Sequence, residues 1–324
     1  MHELTTTRHN PMIDPTLHVW GWEIPVYLFL GGMVAGIMII SGYFLFSGRH
    51  RASTQCSCFQ VPLVGIALLT LGMLALFLDL EHKPFTWRLY TTFEIKSPMS
   101  WGAWILVLVY PALAAVAALR IPESWRIAFK GRLAGLVLFS DRIRGSAATT
   151  KTIGIVNMLL GGLLGIYTGV LLSALGARPL WSSSILWLLF VVSGLSSAAA
   201  FAHMIARDPY ERVLLAKADN GFLIFELFVF ALFFIGLAST SEAHLRAAQL
   251  LLGGAFAPVF WVFVIGLGII IPLIVQLMAV NGKIPHTPMA PILVMGGGLA
   301  LRFVIVSAGQ FSHWMNAHGL PLPF

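Results

Sequence analysis

Eight apolar segments, each long enough to cross a bilayer as a helix, constrain the fold of this chain most. A membrane-spanning helix needs about 20 mostly apolar residues, and a backbone in lipid must satisfy its own hydrogen bonds. Residues 244–256 are apolar but shorter, so we expect them to cap the seventh helix or to lie in the membrane interface. The sequence predicts an all-α integral membrane protein with eight transmembrane helices at approximately 22–46, 61–80, 100–120, 152–175, 183–206, 220–240, 257–280 and 289–312.

Composition supports a membrane protein and excludes several other classes. The chain is 58% hydrophobic and only 10% charged, whereas charged residues make up about a quarter of soluble domains. The N-terminus has no basic segment followed by a small-residue cleavage site, so we expect no removable signal peptide. Cys56 and Cys58 are too few to hold an iron–sulfur cluster by themselves. Nucleotide-binding and zinc-binding motifs are lacking.

The distribution of Lys and Arg predicts the orientation of the chain. Six lie in loops on one side of the predicted helices, and the larger set of thirteen lies in the alternate loops. Cytoplasmic loops are enriched in Lys and Arg, so we attribute the net charge of +7 to them rather than to nucleic-acid binding. Both termini are then predicted outside, in the periplasm of a Gram-negative bacterium. The larger set is Arg49, Arg51, Arg120, Arg126, Lys130, Arg132, Arg142, Arg144, Lys151, Arg207, Arg212, Lys217 and Lys283.

Two polar residues at the head of the first helix are candidates for binding a small redox molecule. Asp14 and His18 are four residues apart, which places them on one helical face. Asp14 followed by Pro15 also fits an ordinary helix cap, and both interpretations stay open. Tyr167 is expected at the same outer depth on the fourth helix. A phenol and an imidazole suit a quinone, which needs hydrogen-bond donors and exchanges two protons. The alternative is a tyrosine bonded to a neighbouring helix or to interfacial water.

Ionisable residues within the predicted helices form a second group of candidates, because such residues are costly in a bilayer. Glu226 and Arg302 suit either a buried structural pair or a proton path. Only one of the ten histidines, His203, is clearly inside a helix, so an axial pair for a b-type haem is not expected. The candidates from this group are Asp79, Glu81, His203, Glu226 and Arg302.

Two motifs resemble the NrfD/PsrC family, the membrane subunits of polysulfide-reductase-like complexes. Ser97-Pro98-Met99-Ser100-Trp101-Gly102 follows Asp79-Leu80-Glu81-His82-Lys83-Pro84, and Leu301-Arg302 with Ala308-Gly309-Gln310 is similar to the last helix of the family. The segment around Tyr167, ending in Ala177-Arg178-Pro179-Leu180-Trp181, is similar to the fourth helix. The resemblance covers essentially the whole chain.

The resemblance implies a quinone site in a bundle of the first four helices. We therefore expect an N-terminal four-helix bundle over 1–180 and a C-terminal one over 181–324. The quinone contacts of the polysulfide reductase member are an Asn and a His four residues apart and a Tyr, to which His18 and Tyr167 correspond. Asp14 replaces the Asn, so it is a candidate proton carrier rather than an amide donor. Glu81 and Arg302 match positions proposed in the family for a proton path, and we add Gln310 to that path.

The implied function is that of a membrane anchor in a respiratory oxidoreductase complex of the bacterial inner membrane. It oxidises quinol or reduces quinone, either menaquinone or ubiquinone, while an iron–sulfur subunit of the four-cluster type docks on the outer face. A molybdopterin or multihaem cytochrome subunit carries the terminal reaction, so we expect no catalytic residue, haem, iron–sulfur cluster or metal in this chain. One alternative is a proton-translocating subunit, as in alternative complex III. Another is a secondary transporter or channel. Such proteins usually have broken helices at matching positions in two halves, whereas the prolines that interrupt the helices of this chain do not stand at matching positions.

Overall fold

In a computed structural model, the chain is described over residues 20–48, 60–80, 82–95, 97–119, 146–173, 178–206 and 208–314. These residues form helices and no strand. Eight of the helices are long and apolar enough to cross a membrane, as predicted. They are α1 (Glu23–Phe46), α2 (Gln60–Asp79), α3 (Pro98–Ala118), α4 (Ala147–Ser173), α5 (Leu186–Ile205), α6 (Pro209–Thr240), α7 (Val259–Val280) and α8 (Met289–Phe311).

Shorter helices occupy two of the connections. A 3₁₀ turn at Lys83–Phe85 and a helix at Arg88–Thr91 lie between α2 and α3. A helix at Glu242–Leu252, which we call the surface helix, lies between α6 and α7 and packs against α6, α7 and α8. The Ser241 hydroxyl caps it by accepting a hydrogen bond from the His244 N–H. The surface helix accounts for the apolar segment that was too short to span.

Helix α6 begins eleven residues before its predicted start at 220, because charged residues interrupt the apolar pattern in its first three turns. These are Glu211, Arg212, Lys217 and Asp219. The side chain of Asp208 accepts a hydrogen bond of 3.0 Å from Tyr210 N–H, and Pro209 occupies the first helical position. Acceptor caps followed by proline are strong helix starts. The prediction of 220 as the start was therefore wrong, and the longer helix carries Asp219 within it. Helix α4 likewise begins at Ala147 rather than at 152.

Helix α7 is a π-helix over Val259–Ile270 and continues as an α-helix over Ile271–Val280. Pro272 follows the π segment directly. Because proline has no N–H, the regular hydrogen bond to the fourth preceding carbonyl cannot form there. The change of helix type therefore coincides with the residue that interrupts the backbone pattern.

Helix α1 is the most deeply packed of the spanning helices. It contacts α2, α3 and α4 on one side and α5 and α8 on the other. Helix α3 also contacts α2 and α4, while α5 contacts α6 and α8 and α7 contacts both of those helices. Side chains along α1 therefore meet residues from both halves of the chain.

Candidate functional site

Tyr167 lies among the first four helices, directly against the motif that begins α3. Its side chain is 6% exposed. The aromatic ring packs on the backbone of Gly102, where an added Cβ would overlap both Cζ and Oη of Tyr167. Gly102 is the glycine of the Ser97–Gly102 motif. Two features that were separate in the sequence therefore belong to one site, in which the absence of a side chain at Gly102 makes room for the phenol.

Tyr27 on α1 is a site residue that the sequence did not single out. It is 2% exposed, and its ring faces Gly72 of α2, where a Cβ would lie 3.8 Å from Cδ2 of Tyr27. The Tyr27 hydroxyl interacts electrostatically with the hydroxyls of Tyr167 and Tyr90. However, it is buried and makes no hydrogen bond of standard geometry to any described residue. Tyr27 stands in a continuous apolar run, where one more aromatic residue gives no signal of a special role.

Tyr90 brings a third phenol to this region from the short helix Arg88–Thr91. It is half-buried and interacts electrostatically with both Tyr27 and Tyr167. Burial raises the pKa of Tyr90, and the neighbouring Tyr110 raises it further. Tyr90 therefore keeps its proton at neutral pH and is available as a hydrogen-bond donor. The connection between α2 and α3 and the first turn of α3 surround an open cavity of about 340 Å³. Its lining residues are Leu80, His82, Phe85, Thr86, Arg88, Leu89, Thr92, Glu94, Ser97, Met99 and Ser100.

Asp14, His18 and Glu81 lie outside the described residues, but the segment that follows His18 is clearly anchored. The backbone N–H of Trp20 donates to Gln310 Oε1 at 3.2 Å, and the Trp20 carbonyl accepts from Gln310 Nε2 at 3.1 Å. The Trp20 ring also stacks on Trp181, with ring centroids 5.0 Å apart. The start of α1 is thus held by the end of α8, and the Gln310 amide uses both of its polar groups to do so.

Trp181 is itself held firmly against α8. Its indole N–H donates to the Ile305 carbonyl at 2.9 Å, and the ring packs on Gly309, where a Cβ would overlap the indole. Arg178 is fully buried and donates to the Ser312 carbonyl at 3.1 Å. The sequence similarity at Arg178–Trp181 and at Gly309-Gln310 therefore marks the two sides of one contact.

A second polar group lies at the buried face of α6. Asp219 is fully buried and accepts hydrogen bonds of 2.7 Å from Ser196 Oγ and from Gln276 Nε2. Glu226 is buried two turns further along the same helix, and residues seven apart share a helical face. The sequence identified Glu226 but missed Asp219, because the predicted helix began one residue after it.

Arg302 is fully buried and is satisfied mainly by uncharged groups. It donates to Ser193 Oγ at 2.6 Å, to the Phe190 carbonyl at 2.9 Å and to the Gly298 carbonyl at 3.1 Å. Its guanidinium lies 4.7 Å from the centre of the Phe190 ring. Glu226 is an electrostatic neighbour of Arg302. These two described residues form no ion pair with each other, so they interact without a direct contact between charges.

The remaining candidates lie at the two ends of the helices. His203 is 4% exposed near the end of α5, and its ring meets that of His286 edge-on with centroids 5.3 Å apart. Asp79 ends α2, where its carboxylate is an electrostatic neighbour of Glu23 at the start of α1. Asp79 therefore belongs to the end of the molecule that carries Trp20, and His203 belongs to the opposite end.

Comparison with known proteins gives matches along nearly the whole sequence. A family model described as polysulphide reductase, NrfD, matches residues 8–312. The protein is 31% identical over 306 residues to protein NrfD of Escherichia coli (strain K12), covering 91% of this sequence and 96% of that protein. It is 30% identical over 313 residues to the C subunit of the polysulfide reductase of Wolinella succinogenes, covering 90% and 94%. A protein NrfD homolog of Haemophilus influenzae is 29% identical over 315 residues, covering 93% and 97%.

Proposed function

We propose, from the premise that this chain belongs to the polysulphide reductase NrfD family, that it is the quinone-reactive membrane subunit of a respiratory oxidoreductase complex. It exchanges electrons between a membrane quinone, menaquinone or ubiquinone, and an iron–sulfur subunit. The observation that carries this proposal is the packing of Tyr167 against Gly102. This contact joins the candidate quinone ligand to the motif that resembles the family.

The proposed arrangement is two four-helix bundles in a bacterial inner membrane, with both termini outside. Contacts among α1 to α4 and among α5 to α8 support a division near residue 180, although α1 also packs against α5 and α8, and α4 packs against α5. The cationic loops support the orientation. This arrangement places Tyr167 and the anchored segment at Trp20 at the outer end of the first bundle.

The residues around Tyr167 fit a quinone. Phenol hydroxyls supply hydrogen-bond donors, and buried apolar side chains such as Ile24 and Leu28 line the same core. A bound quinol supplies two electrons and two protons. In our mechanism, His18 accepts the proton of one hydroxyl and Asp14 passes it toward the outer solution, while water at the site accepts the proton of the other hydroxyl. Tyr167 donates a hydrogen bond that orients the other oxygen.

Electrons leave or enter through a partner on the outer face. We propose an iron–sulfur subunit of the four-cluster type, connected to a molybdopterin or multihaem cytochrome subunit. The similarity to a protein named as one subunit of a polysulfide reductase supports an assembly of several polypeptides. The connection between α2 and α3 exposes Phe85, Trp87 and Phe93 beside Arg88, which are residue types enriched in interfaces.

The decisive experiment separates quinol chemistry from assembly. His18→Ala and Tyr167→Phe are expected to abolish quinol-linked turnover, while the complex still assembles and reacts with artificial electron donors. Tyr210→Phe is the matched control, because Tyr210 is 67% exposed at the start of α6. Normal quinol turnover in both site variants would refute the proposed site.

Proton translocation is a second candidate function, favoured by the buried polar groups of α6 and α8. Asp219, Glu226 and Arg302 are costly in a bilayer and are candidates for proton transfer by default. Proton release can be measured in vesicles during quinol oxidation. Release beyond the two protons of each quinol supports translocation, and its loss in Asp219→Asn or Glu226→Gln would assign the path. Release of only the quinol protons would argue against it.

A further inference from the structure

We infer that Tyr27 is a third ligand of the quinone site, an inference that rests on the proposed function. Its hydroxyl donates a hydrogen bond to the same quinone oxygen as Tyr167, whereas His18 serves the other oxygen. A quinone carbonyl oxygen has two lone pairs and can accept from two donors. The two phenols therefore provide one oxygen with a complete set of partners.

The first reason is that the Tyr27 hydroxyl has no hydrogen bond of standard geometry to a described residue, although the Tyr167 hydroxyl lies close enough to interact with it. The side chain is 2% exposed, and the hydroxyl has no hydrogen-bond partner of standard geometry among the described residues. Burying a hydroxyl without a partner is unfavourable, and a phenylalanine of the same shape would avoid that cost. A ligand that enters the site and accepts this hydrogen bond explains why a tyrosine stands there.

The second reason is position. The Tyr27 hydroxyl interacts electrostatically with the hydroxyls of Tyr167 and Tyr90, so three donors converge on one region between the helices. The ring of Tyr27 faces Gly72, and the ring of Tyr167 lies on Gly102. The glycine at 102 lets the Tyr167 ring approach the backbone of α3, whereas the Tyr27 ring is within ordinary packing distance of α2 at Gly72. The packing of the two rings therefore sets the positions of their hydroxyl oxygens.

The third reason is the apolar surrounding of the donors. Ile24, Leu28 and Leu172 belong to the same buried cluster as the two tyrosines, and Met73 and Ile105 pack against it. An apolar wall with a few convergent donors is the usual character of a site for a flat, weakly polar molecule. It suits a quinone ring better than a charged substrate.

The test is Tyr27→Phe in the purified complex, which removes only the hydroxyl. We expect the apparent KM for a soluble quinol analogue to rise about two- to tenfold, the range for loss of one hydrogen bond. We also expect that adding the quinone analogue raises the Tm of the Tyr27→Phe complex by less than it raises the Tm of the native complex. Without ligand, the Tm should be equal to or above that of the native complex, because an unpaired buried hydroxyl has been removed.

The matched control is Tyr110→Phe. The Tyr110 hydroxyl has a partner within the chain, Thr70 Oγ1 at 3.3 Å, so its removal should leave KM and the ligand-induced Tm shift unchanged. An unchanged KM and ligand shift in Tyr27→Phe would overturn the inference, as would a lower Tm without ligand. These outcomes leave the proposed function intact if His18→Ala still abolishes quinol turnover. Full turnover in His18→Ala would instead refute the proposed function itself.

Discussion

Replacing Gln310 with alanine should release the start of α1 and thereby weaken quinol binding. The Gln310 amide makes two hydrogen bonds to the backbone of Trp20, one in each direction. Each such bond contributes about 0.5–1.5 kcal/mol, so the two contribute about 1–3 kcal/mol. Because 1.4 kcal/mol corresponds to about tenfold, the ratio of anchored to released states should fall by roughly 5- to 150-fold.

Hydrogen exchange of the Trp20 amide measures this release directly. Its exchange rate should rise by the same factor as the population of the released state, and the apparent KM for quinol should rise with it. Gln310→Glu should have an intermediate effect, because a carboxylate still accepts from the Trp20 N–H but cannot donate to its carbonyl. Gln249→Ala is the control, since Gln249 is exposed on the surface helix.

Two results would refute the reasoning in different ways. Unchanged exchange at Trp20 in Gln310→Ala would show that the amide does not anchor the segment. A loss of kcat with unchanged exchange and unchanged KM would instead favour the proton path that the sequence suggested for Gln310. An amide does not titrate near neutral pH, so the Gln310 side chain is a poor proton carrier. Its two hydrogen bonds to the Trp20 backbone therefore favour an anchoring role.

Three further changes test the packing and the polar groups. Gly102→Ala should displace the Tyr167 ring, lower the Tm through overpacking of about 1–3 kcal/mol, and raise the KM for quinol in steady-state assays. Gln276→Ala removes one of the two donors to Asp219 and should cost about 1–3 kcal/mol in thermal unfolding. Burial lowers the pKa of His244, so the unfolded chain binds a proton first as the pH falls below about 6.5. Stability should therefore fall from pH 7.5 to 5.5, and His244→Gln should flatten this dependence of the Tm.

Each of these changes has a contrasting case. Gly162→Ala should be tolerated, because no atom lies within 4 Å of the added Cβ. The Asp219 prediction fails if Gln276→Ala and Gln249→Ala lower the Tm equally. The His244 prediction fails if the native protein is more stable at pH 5.5 than at pH 7.5. Such a result would mean that burial does not oppose protonation of the ring, whose two nitrogens hydrogen-bond with the Ser182 and Ser241 hydroxyls.

The number of spanning helices was predictable from the sequence because the bilayer sets the shortest apolar segment that can cross it. A segment that crosses hydrocarbon needs a minimum length and must satisfy its own backbone, so apolar runs indicate helices without any knowledge of their neighbours. The same cost of burying polarity identified Glu226 and Arg302. Helix α6 was predicted too short because its first turns contain charged residues. Its start is set by the cap at Asp208 rather than by an apolar run.

The faces of the helices, in contrast, were decided by tertiary structure. Helix α1 has almost no amphipathic character, because lipid and protein interior both favour apolar side chains. Its sequence therefore does not reveal that Tyr27 faces Tyr167. Nor does any local pattern connect Trp20 with Gln310, which are 290 residues apart. The sequence determined that this protein is a bundle of membrane helices of a recognisable family, whereas only the packing of those helices decided which polar groups meet, since contacts between distant segments leave no local periodicity.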